Sequence, residues 1–213
     1  MTRIISFIAL ALIGLGAHAQ DAKAKTILDR LSAKTKSYAS ITSDFTFILR
    51  DNIADVHQEQ EGTLKMQNDK FYLQLADNHI YSDGTTRWTY NTDMNEVYVD
   101  DADGEEGALN PTDIFTIWET GFKHYYDSEA KEGGRTLDVI KLVPTDPADK
   151  TFHTAKLYVD RAKTEVAKIE ILGKQGSDYI YKVNSFETGK KYPDSEFVFS
   201  KANHPGVSVI DNR

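Results

Sequence analysis

Apolar and polar residues alternate with a period of two along most of this chain, which is the pattern of half-buried β-strands. Between residues 59 and 99 the alternation comes in short runs, separated by turn-forming pairs such as Asn68-Asp69 and Asp83-Gly84. Asp-Gly readily takes the φ > 0 geometry that tight hairpins require. This region therefore predicts about three or four antiparallel strands with one apolar and one polar face.

The same alternation predicts further strands at residues 40–50, 137–143, 154–160, 166–172, 179–186 and 196–200. Two segments, residues 20–38 and 113–122, instead repeat their apolar positions every three to four residues, as amphipathic helices do. Asn110 and Pro111 precede the second of these and favour a helix start. Because most predicted strands follow one another in sequence, we predict a single α+β domain with a curved antiparallel sheet of about ten strands and helices on one side.

The first nineteen residues have the composition of a secretory signal peptide. Arg3 is followed by an apolar run at residues 4–15 and by the small residues Ala17 and Ala19. This pattern predicts cleavage after Ala19, export to the periplasm and a mature domain at residues 20–213. The apolar run is too short for a transmembrane anchor, and no later segment approaches the length of a membrane span.

Composition narrows the classes of partner. The formal net charge is −8 at pH 7, which argues against nucleic acid as a partner. The sequence contains no cysteine, so disulfides, zinc–thiolate sites and lipidation of a cysteine behind the signal peptide are excluded. We therefore expect a soluble exported monomer whose fold depends on its core.

The sequence offers no recognisable catalytic motif. The histidines do not have metalloprotease spacing, and there is no nucleophile elbow, phosphate-binding loop or dinucleotide-binding loop. Asp101 and Asp103 begin a run that partly resembles a calcium loop, but the ligand spacing breaks before the bidentate glutamate. We predict no catalytic residue, no metal and no cofactor. A secreted hydrolase that uses carboxylates remains an alternative without a supporting motif.

One predicted face of the sheet is unusually rich in aromatic and aliphatic residues. It would carry Phe45, Phe47, Leu49, Leu64, Met66, Phe71, Leu73, Leu75, Trp88 and Tyr90. The helix predicted at residues 113–122 would cover this face as a lid through Ile114, Ile117, Trp118 and Phe122. The pattern fits a filled core with both helices packed on it, and it also fits a lipid-sized apolar cavity beneath the lid. Periodicity does not separate the two.

Four stretches together resemble the outer-membrane lipoprotein carrier protein family (LolA-like). They are the strand at residues 61–66, the hairpin at 82–91, the aromatic segment after Asn110-Pro111 and the chain end at 197–213. The resemblance implies a half-open β-barrel with helices as a lid over an apolar cavity. It also implies a soluble periplasmic carrier that takes acylated lipoproteins from an inner-membrane lipoprotein-releasing ABC transporter to an acceptor at the outer membrane. An exported protein of the same fold for another lipid or apolar small molecule is the alternative.

The chain departs from this family at one position. Family members commonly carry an arginine, usually followed by proline, just after the strand that matches residues 64–66, and this arginine fastens the lid through hydrogen bonds. Here the corresponding residues are Gln67, Asn68, Asp69 and Lys70. Asn68 is able to hydrogen-bond a lid carbonyl, but the arginine is absent. We therefore expect a lid that is held differently.

Overall fold

A computed structural model describes residues 14–102, 115–148 and 150–213, with side chains from residue 21 onward. One α-helix, α1, spans Gly14–Lys36. The strands are β1 Ile41–Asp51, β2 Val56–Gln67, β3 Lys70–Leu75, β4 Asn78–Ser82, β5 Thr86–Asn91, β6 Glu96–Asp101, β7 Phe122–Glu132, β8 Arg135–Pro144, β9 Phe152–Asp160, β10 Glu165–Gly173, β11 Ser177–Thr188 and β12 Ser208–Asp211. Two 3-10 helices, Asp194–Phe197 and Lys201–Asn203, lie between β11 and β12.

All twelve strands belong to one curved, open sheet. Its order is β12-β6-β5-β4-β3-β2-β1-β11-β10-β9-β8-β7. Neighbouring strands are antiparallel except for β12, which pairs in parallel with β6. Within the described ranges the two edge strands β7 and β12 do not pair with each other, so the sheet does not close into a barrel. The expected antiparallel, half-open sheet is confirmed, with one helix rather than two in the part of the chain described.

The main core lies on the face of the sheet that carries Phe45 and Leu64, which we call the inner face. The apolar stripe of α1 is buried against it and consists of Ala24, Ile27, Leu28 and Leu31. Buried residues of β8, β9 and β10 line the other half of the same core, among them Ile140, Leu142, Leu157 and Ile169. On β2, Gly62 leaves room for the Phe45 ring, because a Cβ at Gly62 would approach that ring to 2.4 Å.

The opposite face, the outer face, has its own smaller core. The segment after β11 runs across it and buries Phe197, Phe199 and Val207. Phe199 packs on Tyr90, with ring centroids 5.3 Å apart. An ion pair between Lys65 Nζ and a Glu196 carboxylate oxygen, 2.5 Å apart, ties this segment to β2.

The structure corrects several predicted elements. The strand predicted at residues 196–200 is wrong, because a 3-10 helix covers Asp194–Phe197 and no strand follows until β12. The alternating Phe197 and Phe199 are buried as expected, but by irregular backbone. Strands β4, β7 and β12 were not predicted, and β2 begins at Val56, five residues before the strand at residues 61–66. Residues 1–13 of the predicted signal peptide lie outside the described residues, and residues 14–19 form the first turns of α1.

The second predicted helix, at residues 113–122, is also not found in the part of that range that the structure describes. Residues 113 and 114 lie outside the described ranges, residues 115–121 form a turn segment, and Phe122 is the first residue of β7. Gly121 has a φ of +79°, which ends any helical path before the strand. We call residues 115–121 the cover segment.

A buried carboxylate fastens β7 and β8 to the turn between β9 and β10. Asp138 is 3% exposed and accepts hydrogen bonds from Arg161 Nη2 at 2.6 Å and from the Tyr126 hydroxyl at 3.1 Å. Burial alone would raise the pKa of Asp138, but these hydrogen bonds hold it below its usual value of 3.8. The ionised form is therefore the stabilising one.

We predict that Asp138→Asn lowers the free energy of unfolding by about 2 kcal/mol at pH 7, because the amide cannot accept all of these hydrogen bonds. Because the folded-state pKa is depressed, the difference from the wild type is complete well above pH 3.8 and is lost as the pH falls through the lower folded-state value. Urea denaturation at several pH values measures it. The control is Asp29→Asn, since Asp29 forms only an exposed pair with Lys25. An equal loss in both variants would contradict the prediction.

Candidate functional site

Most of the predicted apolar face does lie on the inner face of the sheet. Phe45, Leu64, Phe71 and Leu73 are buried in the main core, and the half-buried Phe47, Met66 and Leu75 pack against it. Leu49 is half-buried at the far end of β1, directly opposite Tyr179 of β11. These eight side chains belong to neighbouring strands β1, β2 and β3, so the structure brings them together.

Trp88 and Tyr90 do not share that face. The strand registers place Trp88 opposite Tyr81 of β4, and Tyr81 opposite Tyr72 of β3. Successive residues of a strand point to opposite faces, so Tyr72 lies on the other side of the sheet from Phe71 and Leu73. Tyr90 is buried in the outer-face core and Trp88 packs against it. The expectation that all ten residues line one apolar face is therefore wrong for these two.

The predicted lid residues lie in different parts of the structure. Ile114 lies outside the described residues. Ile117 and Trp118 are buried in the main core as part of the cover segment, and Trp118 is only 2% exposed. Phe122 is half-buried at the start of β7, where its ring stacks on Phe152 at a centroid distance of 6.1 Å.

Two polar contacts attach the cover segment to α1. Trp118 Nε1 donates a hydrogen bond to the Ser32 hydroxyl at 2.7 Å. One residue further on, Glu119 pairs with Lys36 Nζ at 2.9 Å. On its other side, the Trp118 carbonyl oxygen lies 2.8 Å from His124 Nε2 of β7. The cover segment is thus held between the helix and the edge strand.

A cavity of about 270 Å³ lies between the end of α1 and the cover segment. Its lining comes from three places: the end of α1 and the start of β1, the β2–β3 turn, and the cover segment. The lining residues are Thr35, Lys36, Tyr38, Ala39, Ser40, Ile41, Met66, Asn68, Phe115, Thr116 and Glu119. Asn68 has a φ of +57° at the turn and lines the same cavity as Thr116 and Glu119. The role of Asn68 in holding a lid remains a prediction.

A cluster of aromatic side chains lies beside this cavity. The Phe186 ring of β11 lies 5.8 Å from Tyr38 and 5.6 Å from Phe115, measured between ring centroids. Burial raises the pKa of Tyr38, and burial raises that of Tyr181, further along β11, to about 12. Both phenols therefore stay neutral at physiological pH, and the arrangement suits apolar ligands rather than acid–base chemistry.

Sequence reasoning missed part of this site. Phe115 is 3% exposed and lines the cavity, yet it was not among the candidate lid residues, although it lies in the same aromatic run. Ser32 is the acceptor for Trp118 across 86 positions of sequence, and no local pattern indicates such a contact. The aromatic residues of β11 were predicted as a strand but not as part of the apolar interior.

The described residues contain no group of three or more histidine and carboxylate side chains arranged to hold a metal ion. In the part of the chain that is described, no helix has both the length and the apolarity to span a bilayer.

An open antiparallel half-barrel with an apolar inner face, covered by a helix and an aromatic segment, is the architecture of a binding or carrier fold. The sequence profile of the outer membrane lipoprotein carrier protein LolA matches residues 36–200. The chain therefore belongs to the LolA family. Among curated proteins, no significant sequence match was found.

Solved structures are similar in fold at low sequence identity. An uncharacterized conserved protein from Thermus thermophilus is 13% identical, with a TM-score of 0.55 over 89% of this chain and 99% of that one. An outer membrane lipoprotein-sorting protein domain from Vibrio parahaemolyticus is 12% identical, with a TM-score of 0.47 over 83% and 97%. The LolA superfamily protein NE2245 from Nitrosomonas europaea is 12% identical, with a TM-score of 0.45 over 83% and 97%. The first of these supports the fold assignment.

We predict that Ser32→Ala lowers the free energy of unfolding by about 1–2 kcal/mol, because it leaves the buried Trp118 Nε1–H without its acceptor. Chemical denaturation followed by circular dichroism measures the loss. Ser37→Ala is the matched control, since the exposed Ser37 hydroxyl bonds only to the helix carbonyl of Lys34. A change in Ser32→Ala no larger than in the control would show that the Trp118 contact does not hold the cover segment.

Proposed function

We propose that this protein is a soluble periplasmic carrier that binds the acyl chains of lipoproteins against its inner face. It would receive them from an inner-membrane lipoprotein-releasing ABC transporter and deliver them to an acceptor at the outer membrane. Membership of the LolA family supports this assignment. The strongest support is the apolar inner face, which is covered by α1 and by a cover segment that makes, among the described residues, two polar contacts to that helix.

The size of the cavity bears on how cargo would enter. At about 270 Å³ it is slightly below the range of roughly 300–1,000 Å³ typical of small-molecule sites. Acyl chains of a lipoprotein need more room than this. We infer that cargo displaces the cover segment and that Phe115, Ile117 and Trp118 fill the interior when cargo is absent.

Energetics favour a carrier that holds its cargo only in part. Each buried methylene gains ~0.8 kcal/mol, so about forty methylenes on three chains would gain roughly 30 kcal/mol if all were buried. That exceeds the ~20 kcal/mol at which non-covalent affinities saturate, and such cargo would not be released. A cover segment that must be displaced lowers the net affinity. In the empty protein, the same segment keeps the inner face from becoming an exposed apolar patch.

We predict that replacing Ile117 and Trp118 together by alanine makes the empty protein prone to aggregation and tightens binding of a fluorescent fatty-acyl probe by about tenfold. Affinity rises because the removed side chains no longer have to be displaced, and a tenfold change corresponds to about 1.4 kcal/mol. Fluorescence titration and light scattering measure the two effects.

The matched control for this variant is Trp88→Ala, which removes the same ring from the outer face. It should leave the affinity for the probe unchanged. The proposed role of the cover segment would be abandoned if the double variant kept both the solubility and the probe affinity of the parent protein.

Native mass spectrometry with lipid extraction, on protein purified from its own host, tests the function itself. We expect acylated lipoprotein bound one to one. Recovery of a free lipid or another apolar small molecule would favour the alternative of an exported binding protein for that ligand. An empty protein that also takes up no hydrophobic probe would mean that the inner face is only a filled core.

A further inference from the structure

Among the residues that the structure describes, the first half of β2 has a strand partner on one side only, so it is an open sheet edge inside the fold. Residues 56–61 pair with β1 on one side, whereas pairing with β3 begins only at Gly62. Residues 57–61 are all exposed, and the side chains of His57 and Glu59 are each 55% accessible. Six successive residues therefore present one edge of their backbone to solvent, next to the turn that joins β3 to β4.

This edge lacks most of the features that usually protect edge strands. Natural edges are blunted by shortness, by a bulge, by proline or by charged side chains, lysine above all. Among the described strands, β12 has four residues, and β7 has a register shift at Tyr126 together with Lys123 and Lys131. Residues 56–61 pair with β1 without a register shift and contain neither lysine nor proline. They retain the regular geometry to which an extended peptide adds as a further strand.

The charges of this edge indicate the kind of peptide that fits it. Glu59 and Glu61 point to the outer face, since they lie opposite Ile48 and Thr46 of β1 rather than opposite Phe47. Asp44 lies two residues further along the same face of β1 and is also exposed. Of the three outer-face side chains of an added strand, two would therefore lie beside Glu59 and Glu61 and the third beside His57. The two positions beside the carboxylates favour lysine or arginine. A second copy of this chain would instead bring the same carboxylates close together.

The edge also begins where the apolar interior ends. Leu75, the last residue of β3, lies opposite Gly62, and the half-buried Phe47 lies opposite Gln60. A chain that leaves the inner face at this level passes directly along residues 56–61.

We propose that residues 56–61 bind the extended, basic polypeptide segment that follows the acylated residue of a cargo lipoprotein, as an added β-strand. This rests on the proposed function, because it assumes that the acyl chains occupy the inner face. The edge then binds the protein part of the cargo while the interior holds the lipid. The bound polypeptide would leave the half-barrel on the β2 side, between β1 and the β3–β4 turn.

Amide hydrogen exchange followed by NMR tests the proposal on the mature chain. The probe is a synthetic lipopeptide, a tripalmitoylated cysteine followed by Ser-Lys-Lys-Lys-Lys, and the reference is the same acylated cysteine as its simple amide. We expect the lipopeptide to slow exchange at least tenfold for the edge-facing amides within residues 56–61, and the reference to leave those amides unchanged. Equal exchange with both ligands would overturn the proposal. Failure of the reference itself to bind would instead overturn the proposed function.

Two charge-reversal variants test whether the carboxylates of this edge attract the basic segment. Glu59→Lys should weaken lipopeptide binding about threefold relative to the reference at low ionic strength, and the difference should vanish in high salt. Asp93→Lys, on the exposed β5–β6 turn, reverses the same charge away from the edge and should have no effect. Equal weakening by both variants would indicate attraction to net charge alone and would contradict the proposal. So would protection of residues 56–61 that depends on protein concentration without lipopeptide, because that would assign the edge to a second copy.

Discussion

The constraint on which this structure depends is an apolar sheet face that the sheet itself does not enclose. A closed barrel buries its interior with strands alone, but here the edge strands β7 and β12 do not meet in the described part of the chain. Helix α1 and the cover segment must therefore keep the inner face from water. Trp118 joins these two elements, because its ring is buried in the core while its indole N–H bonds to Ser32 of the helix. Trp118 thus contributes both to the packing of the cover segment and to its attachment.

Alternation predicted the sheet well because a strand buried on one face imposes a period of two, and that period is local. It failed where the backbone is irregular. Phe197 and Phe199 alternate like strand residues, yet they are buried by a 3-10 helix and the segment after it. The faces of Trp88 and Tyr90 were misassigned because β4, whose first residue Asn78 looks like part of a turn, was not recognised as a strand. Face assignment needs an uninterrupted register count from one strand to the next, which a single sequence does not provide.

The family was predicted from motifs spread along the chain, and the profile match confirms it. Fewer details of the candidate site could be predicted from the sequence. The absence of the family arginine was visible at residues 67–70. The contacts that hold the cover segment instead come from α1 and from β7, and these could not be predicted. Hydrogen bonds between residues as distant as Ser32 and Trp118 leave no trace in local periodicity. The β2–β3 turn, where the family arginine is absent, still places a polar residue near the cover segment, because Asn68 lines the same cavity as Thr116 and Glu119.

The way the cover segment is held has a consequence for the proposed carrier. A neutral hydrogen bond contributes about 0.5–1.5 kcal/mol, and a pair such as Lys36–Glu119, with a lysine side chain 66% exposed, contributes between about 0 and 1 kcal/mol. The burial of two or three methylenes, at ~0.8 kcal/mol each, offsets the sum. The larger resistance must come from apolar packing of Phe115, Ile117 and Trp118. In the proposed carrier, acyl chains would take the place of these side chains with equally apolar contacts. A lid held mainly by packing exchanges one apolar filling for another, so both the empty and the loaded state keep the inner face dry. The polar contacts then bias the balance towards closure without preventing release.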